Sequence, residues 1–170
     1  LNLCADTGGA TLAAANAGAQ VTQVDASKGM VTWAKENAAS SGLQDAPIRW
    51  LMDDCSKFVG REIRRCNHYD AIIMDPPSYG RGPKGEIWKI EDSIHPFIKL
   101  CAKLLSDDPL FFLINSYTTG LAPAVLTYML ATELKKWEGT VSADEIGLPV
   151  SQNGLLLLRG ASGRRSAKQV

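Results

Sequence analysis

No stretch of this chain approaches the ~20 consecutive apolar residues that a bilayer-spanning helix needs. Nothing at its start has the succession of charged, apolar and small residues that marks a secretory signal, so the expected location is cytoplasmic and no membrane partner is expected. Cysteine is scarce: Cys4, Cys55, Cys66 and Cys101 show no C-x-x-C spacing, and His68 and His95 stand apart from them. That pattern suggests neither a zinc cluster nor a disulfide framework, so no metal is expected and the thiols are taken as reduced. The chain also lacks an excess of either charge, with 18 basic and 18 acidic residues. Without a global basic field, a nucleic-acid partner would depend on local clusters. The candidates are Arg61, Arg64 and Arg65; Arg81, Lys84 and Lys89; and Arg159, Arg164, Arg165 and Lys168, although charge runs of this kind are more often a solvated helix face, flexible loop or tail. Repeats and low-complexity segments are absent as well. What remains is the composition of one ordinary globular domain: 170 residues, 45% hydrophobic and 21% charged.

Short apolar runs alternate with amphipathic stretches. Leu1 to Cys4 reads as the end of a buried strand, because a turn at Thr7-Gly8-Gly9 follows at once; further residues are expected upstream of Leu1. An alanine-rich helix over 10–17 leads to a strand at Val21 to Val24 that ends in Asp25. Ser27 caps a second helix, and a third strand, Ile48 to Met52, ends in Asp53-Asp54. A helix over about 55–65 leads to Ala71-Ile72-Ile73-Met74, which opens into Asp75-Pro76-Pro77-Ser78-Tyr79 and a glycine-rich loop at 80–85. A helix over 94–105, an apolar strand at Leu110 to Ile114, a helix over 123–137 and weaker strands near 140–146 and 155–158 complete the series, before a basic tail expected to be frayed from Gly160.

This alternation predicts a parallel sheet with helices on both faces, whose ligands lie beyond the carboxyl ends of the strands. Thr7, Asp25, Asp54, Asp75 and Asn115 all fall at such ends and should share one rim. A dinucleotide site would want G-x-G-x-x-G, whereas here Ala5 and Asp6 replace the first glycines. S-adenosylmethionine carries no phosphates and asks less of the turn. Its carboxylate can use a helix N-terminus, its ribose and adenine need acceptors such as Asp25 and Asp54, and its sulfonium suits acidic surroundings.

With these motifs assembled, the chain resembles the class I S-adenosylmethionine-dependent methyltransferases, and within them the branch containing bacterial large-subunit ribosomal RNA methyltransferases. The residues carrying the resemblance are Leu1 to Gly9, Val24-Asp25-Ala26-Ser27, Asp53-Asp54-Cys55 and Asp75 to Tyr79, in that order. The resemblance implies an α/β, Rossmann-like, doubly wound and mostly parallel seven-stranded sheet, with the catalytic domain over 1–158 and a flexible basic tail over 159–170. It implies S-adenosylmethionine held by Asp6, Thr7, Gly8, Gly9, Asp25, Ala26, Asp54, Cys55 and Asp75. Methyl transfer would be served by Asp75, Pro76, Pro77 and Tyr79, with Asp75 and the Pro76 carbonyl accepting hydrogen bonds from the substrate and Tyr79 stacking on an extruded base. Ser78, Tyr79, Arg81, Lys84, Asn115 and Tyr117 would bind a substrate expected to be ribosomal RNA.

Three departures qualify that expectation. Asp6 stands where the branch usually has an aromatic residue, and the N-terminal RNA-binding region usual in relatives is not among these residues. Where cytosine-C5 enzymes carry a nucleophilic cysteine after the fifth strand, this chain has Ser116-Tyr117. Addition to a pyrimidine C6 needs a thiolate, so methylation without a cysteine nucleophile is expected. Two other readings stay open: a methyltransferase for a small molecule or protein side chain, or a cofactor-binding fragment without turnover.

Overall fold

The computed structural model describes residues 1–81 and 85–168. In chain order the elements are β1 (Asn2–Leu3), α1 (Gly9–Asn16), β2 (Val21–Asp25), α2 (Lys28–Ser40), β3 (Ile48–Met52), α3 (Cys55–Arg64), β4 (Ala71–Met74), β5 (Tyr79–Arg81), β6 (Ile87–Lys89), α4 (Ile90–Ala102), β7 (Phe111–Ser116), α5 (Pro123–Glu133), β8 (Thr140–Pro149) and β9 (Leu156–Ser166). Seven strands form one sheet in the order β3-β2-β1-β4-β7-β9-β8. The pairings among β3, β2, β1, β4 and β7 are parallel, whereas β9 runs antiparallel to both β7 and β8. This is the mostly parallel, doubly wound sheet expected. The chain walks from β1 outward to β3, then returns past β1 to β4. Since such crossovers are right-handed, the reversal puts α1 and α2 on one face and α3 and α4 on the other.

The central strands are apolar because they are covered on both sides. Leu3, Val24, Ile72, Met74, Phe112 and Ile114 are buried, and so are Phe58, Ile98, Leu126 and Leu130 on the covering helices. Ser27 Oγ accepts from Met30 N (3.3 Å) at the start of α2, as its position in the sequence predicts. Glu62, fully buried on α3, accepts from Tyr69 Oη (2.7 Å), Asn67 Nδ2 (2.9 Å) and Arg65 (3.1 Å), which fixes α3 to the approach to β4. Those hydrogen bonds outweigh the desolvation of a buried carboxylate and hold Glu62 below its usual range.

Two expectations are corrected. The segment from Gly160, read as a frayed basic tail, continues β9 as far as Ser166 and lies between β7 and β8. Its arginines are consequently not a tail patch. Arg165 is buried and donates to the carbonyls of Pro109 (2.7 Å) and Glu138, Arg164 lies 5.3 Å from the Phe111 ring centroid, and Lys168 pairs with Glu138. The residues flanking the glycine-rich loop also differ from the expected plain loop: Tyr79–Arg81 pairs antiparallel with Ile87–Lys89 as a two-stranded ribbon. Lys84 lies outside the described residues.

Candidate active site

The turn after β1 is wound tightly through left-handed backbone at Cys4 (φ 52°), Asp6 (φ 48°) and Gly8 (φ 86°). Gly8 has a double requirement: besides its φ, a Cβ there would meet Ala34 Cβ at 3.0 Å and Gln23 Oε1 at 3.1 Å. Asp25, at the end of β2, locks the turn from below. Its Oδ2 accepts from Asp6 N (2.9 Å) and its Oδ1 from Ser27 N (2.8 Å). Two carboxamides hold the turn's carbonyls: Gln23 Nε2 donates to Asp6 O (3.3 Å) and Asn37 Nδ2 to Thr7 O (2.9 Å). Each carboxylate oxygen can accept a second bond, so Asp25 both shapes the turn and remains available to a ligand. Asp54 divides its work in the same way, with Oδ1 capping α3 through Lys57 N (2.8 Å).

A cleft of about 610 Å³ opens between these strand ends, lined by Asp25, Ala26, Asp54, Cys55, Trp88 and Met52 among others. Asp6 adjoins it through its bond to Asp25, whereas Thr7, Gly8 and Gly9 do not line it. Pro77 and Arg81 extend the lining toward the acceptor motif. Cys4 and Cys55 meet at its floor with their Sγ atoms 3.7 Å apart, and that contact together with burial pushes the Cys4 thiol far up. Burial does the same to Cys101. Neither is a ready nucleophile.

The Asp75–Tyr79 segment is pinned residue by residue. Asp75 N donates to Leu3 O (3.3 Å), Trp88 Nε1 to Pro77 O (2.7 Å) and Ile90 N to Ser78 O (3.1 Å). Ser78 Oγ shares a 2.7 Å hydrogen bond with Thr118 Oγ1, which couples the segment to the loop after β7. Pro76 is buried. Burial, and secondarily the charge of Asp6, push the Asp75 carboxyl up to about 6. Tyr79 and Tyr117 stand half-exposed on this rim. Arg81 Nε donates to Tyr79 Oη (2.9 Å), orienting the ring, while partial burial and the nearby Asp75 charge raise the Tyr117 phenol. Asn115 is held by its cross-strand neighbour on β9, its Oδ1 accepting from Ser162 Oγ (2.8 Å).

Gln23, Asn37, Met52, Trp88 and Phe97 carry no motif, and sequence reasoning passed over them as site residues. No sequence signal could have found Asn37, whose bond to Thr7 O spans thirty residues and exists only in the fold. Among the described residues no group of His, Cys, Asp and Glu side chains is arranged to hold a metal.

No protein-family model matches the chain. Among curated proteins, the ribosomal RNA large subunit methyltransferase K/L of Shewanella baltica is 41% identical over 88 residues, 51% of this chain, and that of Shewanella frigidimarina is 34% identical over 108 residues, 62% of this chain. The chain spans only 12% and 15% of those relatives' lengths. Among solved structures, a SAM-dependent methyltransferase from Agrobacterium tumefaciens is 36% identical with a TM-score of 0.93, covering 98% of this chain and 55% of that one. A methyltransferase crystallised with SAH shares the fold at 22% identity and a TM-score of 0.79, over 96% of this chain and 44% of that one. The chain thus has the fold of the class I S-adenosylmethionine-dependent methyltransferases and is similar, over about half its length, to bacterial large-subunit ribosomal RNA methyltransferases.

Proposed function

We propose that these residues form the catalytic domain of an S-adenosylmethionine-dependent methyltransferase that modifies a base of ribosomal RNA without a cysteine nucleophile. The observation that carries the reading is the continuity of one cleft from the Asp25 and Asp54 carboxylates to Pro77 and Trp88, beside the acceptor motif. The donor set fits the cofactor: Asp25 keeps accepting capacity for ribose hydroxyls, Asp54 keeps Oδ2 for an adenine amine, and Met52 supplies an apolar wall. When bound, S-adenosylmethionine supplies an activated methyl group on a sulfonium.

The chain's own part is positioning and the exclusion of water. Asp75, ionised above pH about 6, accepts a hydrogen bond from the target's edge. The Pro77 carbonyl accepts from Trp88 and the Ser78 carbonyl from Ile90 N, while the Pro76 carbonyl is the second acceptor that the resemblance implies. Tyr79, oriented by Arg81, offers a ring on which an extruded base can stack. With the Cys4 and Cys101 thiols pushed up, an acceptor that already bears a lone pair suits the site better than a ring carbon needing covalent activation.

Titration calorimetry with SAH and transfer of labelled methyl groups into ribosomal RNA test the two halves separately. Asp25→Ala should weaken SAH binding by at least about tenfold, the cost of a lost charge-assisted hydrogen bond. A folded protein that binds no SAH would remove the cofactor reading. One that binds SAH yet labels protein or small molecules and never RNA would remove the substrate reading.

A further inference from the structure

We infer that Tyr117 and Arg159 form a second nucleotide subsite, taking the base and phosphate of a residue that flanks the target in single-stranded RNA; this rests on the RNA reading above. Two cavities, of about 400 and 300 Å³, lie on the rim next to the acceptor motif, and Tyr117 and Arg159 line both. They therefore form the ridge between the two hollows. Tyr117 is 54% exposed and lies close enough to Asp75 for that carboxylate to raise its phenol.

Arg159 reaches this ridge through a local irregularity. Ile146 pairs with Gly160 and Gly147 with Leu158, so Arg159 is the extra residue of a β-bulge with no partner across the ladder. Bulges re-aim a side chain that regular pairing would direct elsewhere, and they concentrate near functional sites. Glycines permit the distortion on both sides. A Cβ on Gly160 would lie 2.1 Å from Ser116 O and 3.0 Å from Tyr117 Cα, and one on Gly147 would lie 2.8 Å from Leu157 O. Only with glycine at 160 does the bulge sit directly against the base of Tyr117.

The Arg159 guanidinium is exposed and makes no hydrogen bond or ion pair among the described residues. The other arginines of the same strand are committed, Arg165 to carbonyls and Arg164 to the Phe111 ring. Glu145 also lines the larger cavity and opposes an anion there, which favours a single phosphate at the arginine over a run of them. An aromatic face beside a free guanidinium is the combination that holds one unpaired nucleotide, stacking for the base and charge for the backbone.

The test is fluorescence anisotropy with a labelled, mixed-sequence, ten-nucleotide single-stranded RNA, titrated across salt concentrations, with SAH calorimetry and thermal melting alongside. Arg159→Gln should lower the slope of log affinity against log salt by about 0.7, the value of one single-strand phosphate contact. Tyr117→Ala should weaken binding by about tenfold, with Tyr117→Phe close to wild type because the ring remains. Arg159→Lys should restore the salt slope, and Glu145→Gln should tighten RNA binding; neither should alter SAH affinity. If Arg159→Gln and Tyr117→Ala stay folded and bind this RNA with unchanged affinity and slope, the subsite is wrong while the RNA reading stands. A wild-type protein that binds SAH but not the RNA overturns both.

Discussion

Asp75 carries a consequence for pH that separates its chemistry from its effect on stability. Its carboxyl titrates at about 6 in the fold against an ordinary value of 3.8, with burial as the main cause. Between those values the folded protein retains a proton that the unfolded chain has released, so this group's contribution to stability improves as pH falls from 6 toward 4. Above pH 6 the buried charge opposes folding. Asp75→Asn should therefore melt higher than wild type at pH 8 and at the same temperature near pH 4, while its methyl transfer should be slower than wild type at pH 8 and no longer change as pH passes through 6. In wild type, kcat should fall as pH drops through about 6, and a rate flat from pH 5 to 8 would mean that Asp75 does not act as an acceptor. The strand-end acids were legible in the sequence because each follows a short strand pattern directly, as Asp75 follows Ala71 to Met74. Trp88 was not legible. Its value lies in a 2.7 Å bond to Pro77, eleven residues back along the chain, and that proximity is created by a ribbon lacking any alternating apolar signal.

That ribbon, β5 with β6, is the element joining the two halves of the site. It presents Tyr79 and Arg81 on one strand and Trp88 on the other, and the Trp88 ring meets Phe97 of α4 edge-on at 5.6 Å. Trp88→Phe keeps the ring contact but removes the N–H that fixes the Pro77 peptide. The expected result is a kcat reduced by about tenfold, in line with a lost positioning hydrogen bond, with SAH affinity within about threefold. Equal losses in both would make Trp88 a wall of the cofactor cleft and nothing more. The β8–β9 bulge, in turn, depends on glycine. Gly160→Ala places a methyl against the Ser116 carbonyl, and overpacking of that kind costs about 1–3 kcal/mol, measurable by urea unfolding. The sequence hid the length of β9 for a simple reason: from Gly160 onward its residues are small or basic, and they are accommodated by close backbone approach and by hydrogen bonds to carbonyls instead of by apolar alternation.

At the scale of the whole molecule, the layout of the sheet was legible from its alternation of strands and helices, since parallel strands covered on both faces must be apolar along their length. Its far edge was not, because antiparallel insertion of β9 between β7 and β8 depends on pairings distant in sequence. Ending the chain after Leu158 should accordingly remove most of β9 and leave β8 without a neighbour; circular dichroism should then show loss of the cooperative melting transition, where a dispensable tail would leave it unchanged. The order of strands also bears on how the protein emerges during synthesis. β8 is made before β9 yet has no place in the sheet until β9 arrives, so the nascent chain carries an open β7 edge until β9 is available. The rim contributed by Arg159 thus follows the parallel half: the strand ends with Asp25, Asp54 and Asp75 can form first, and the flanking ridge is added only when β9 docks between β7 and β8.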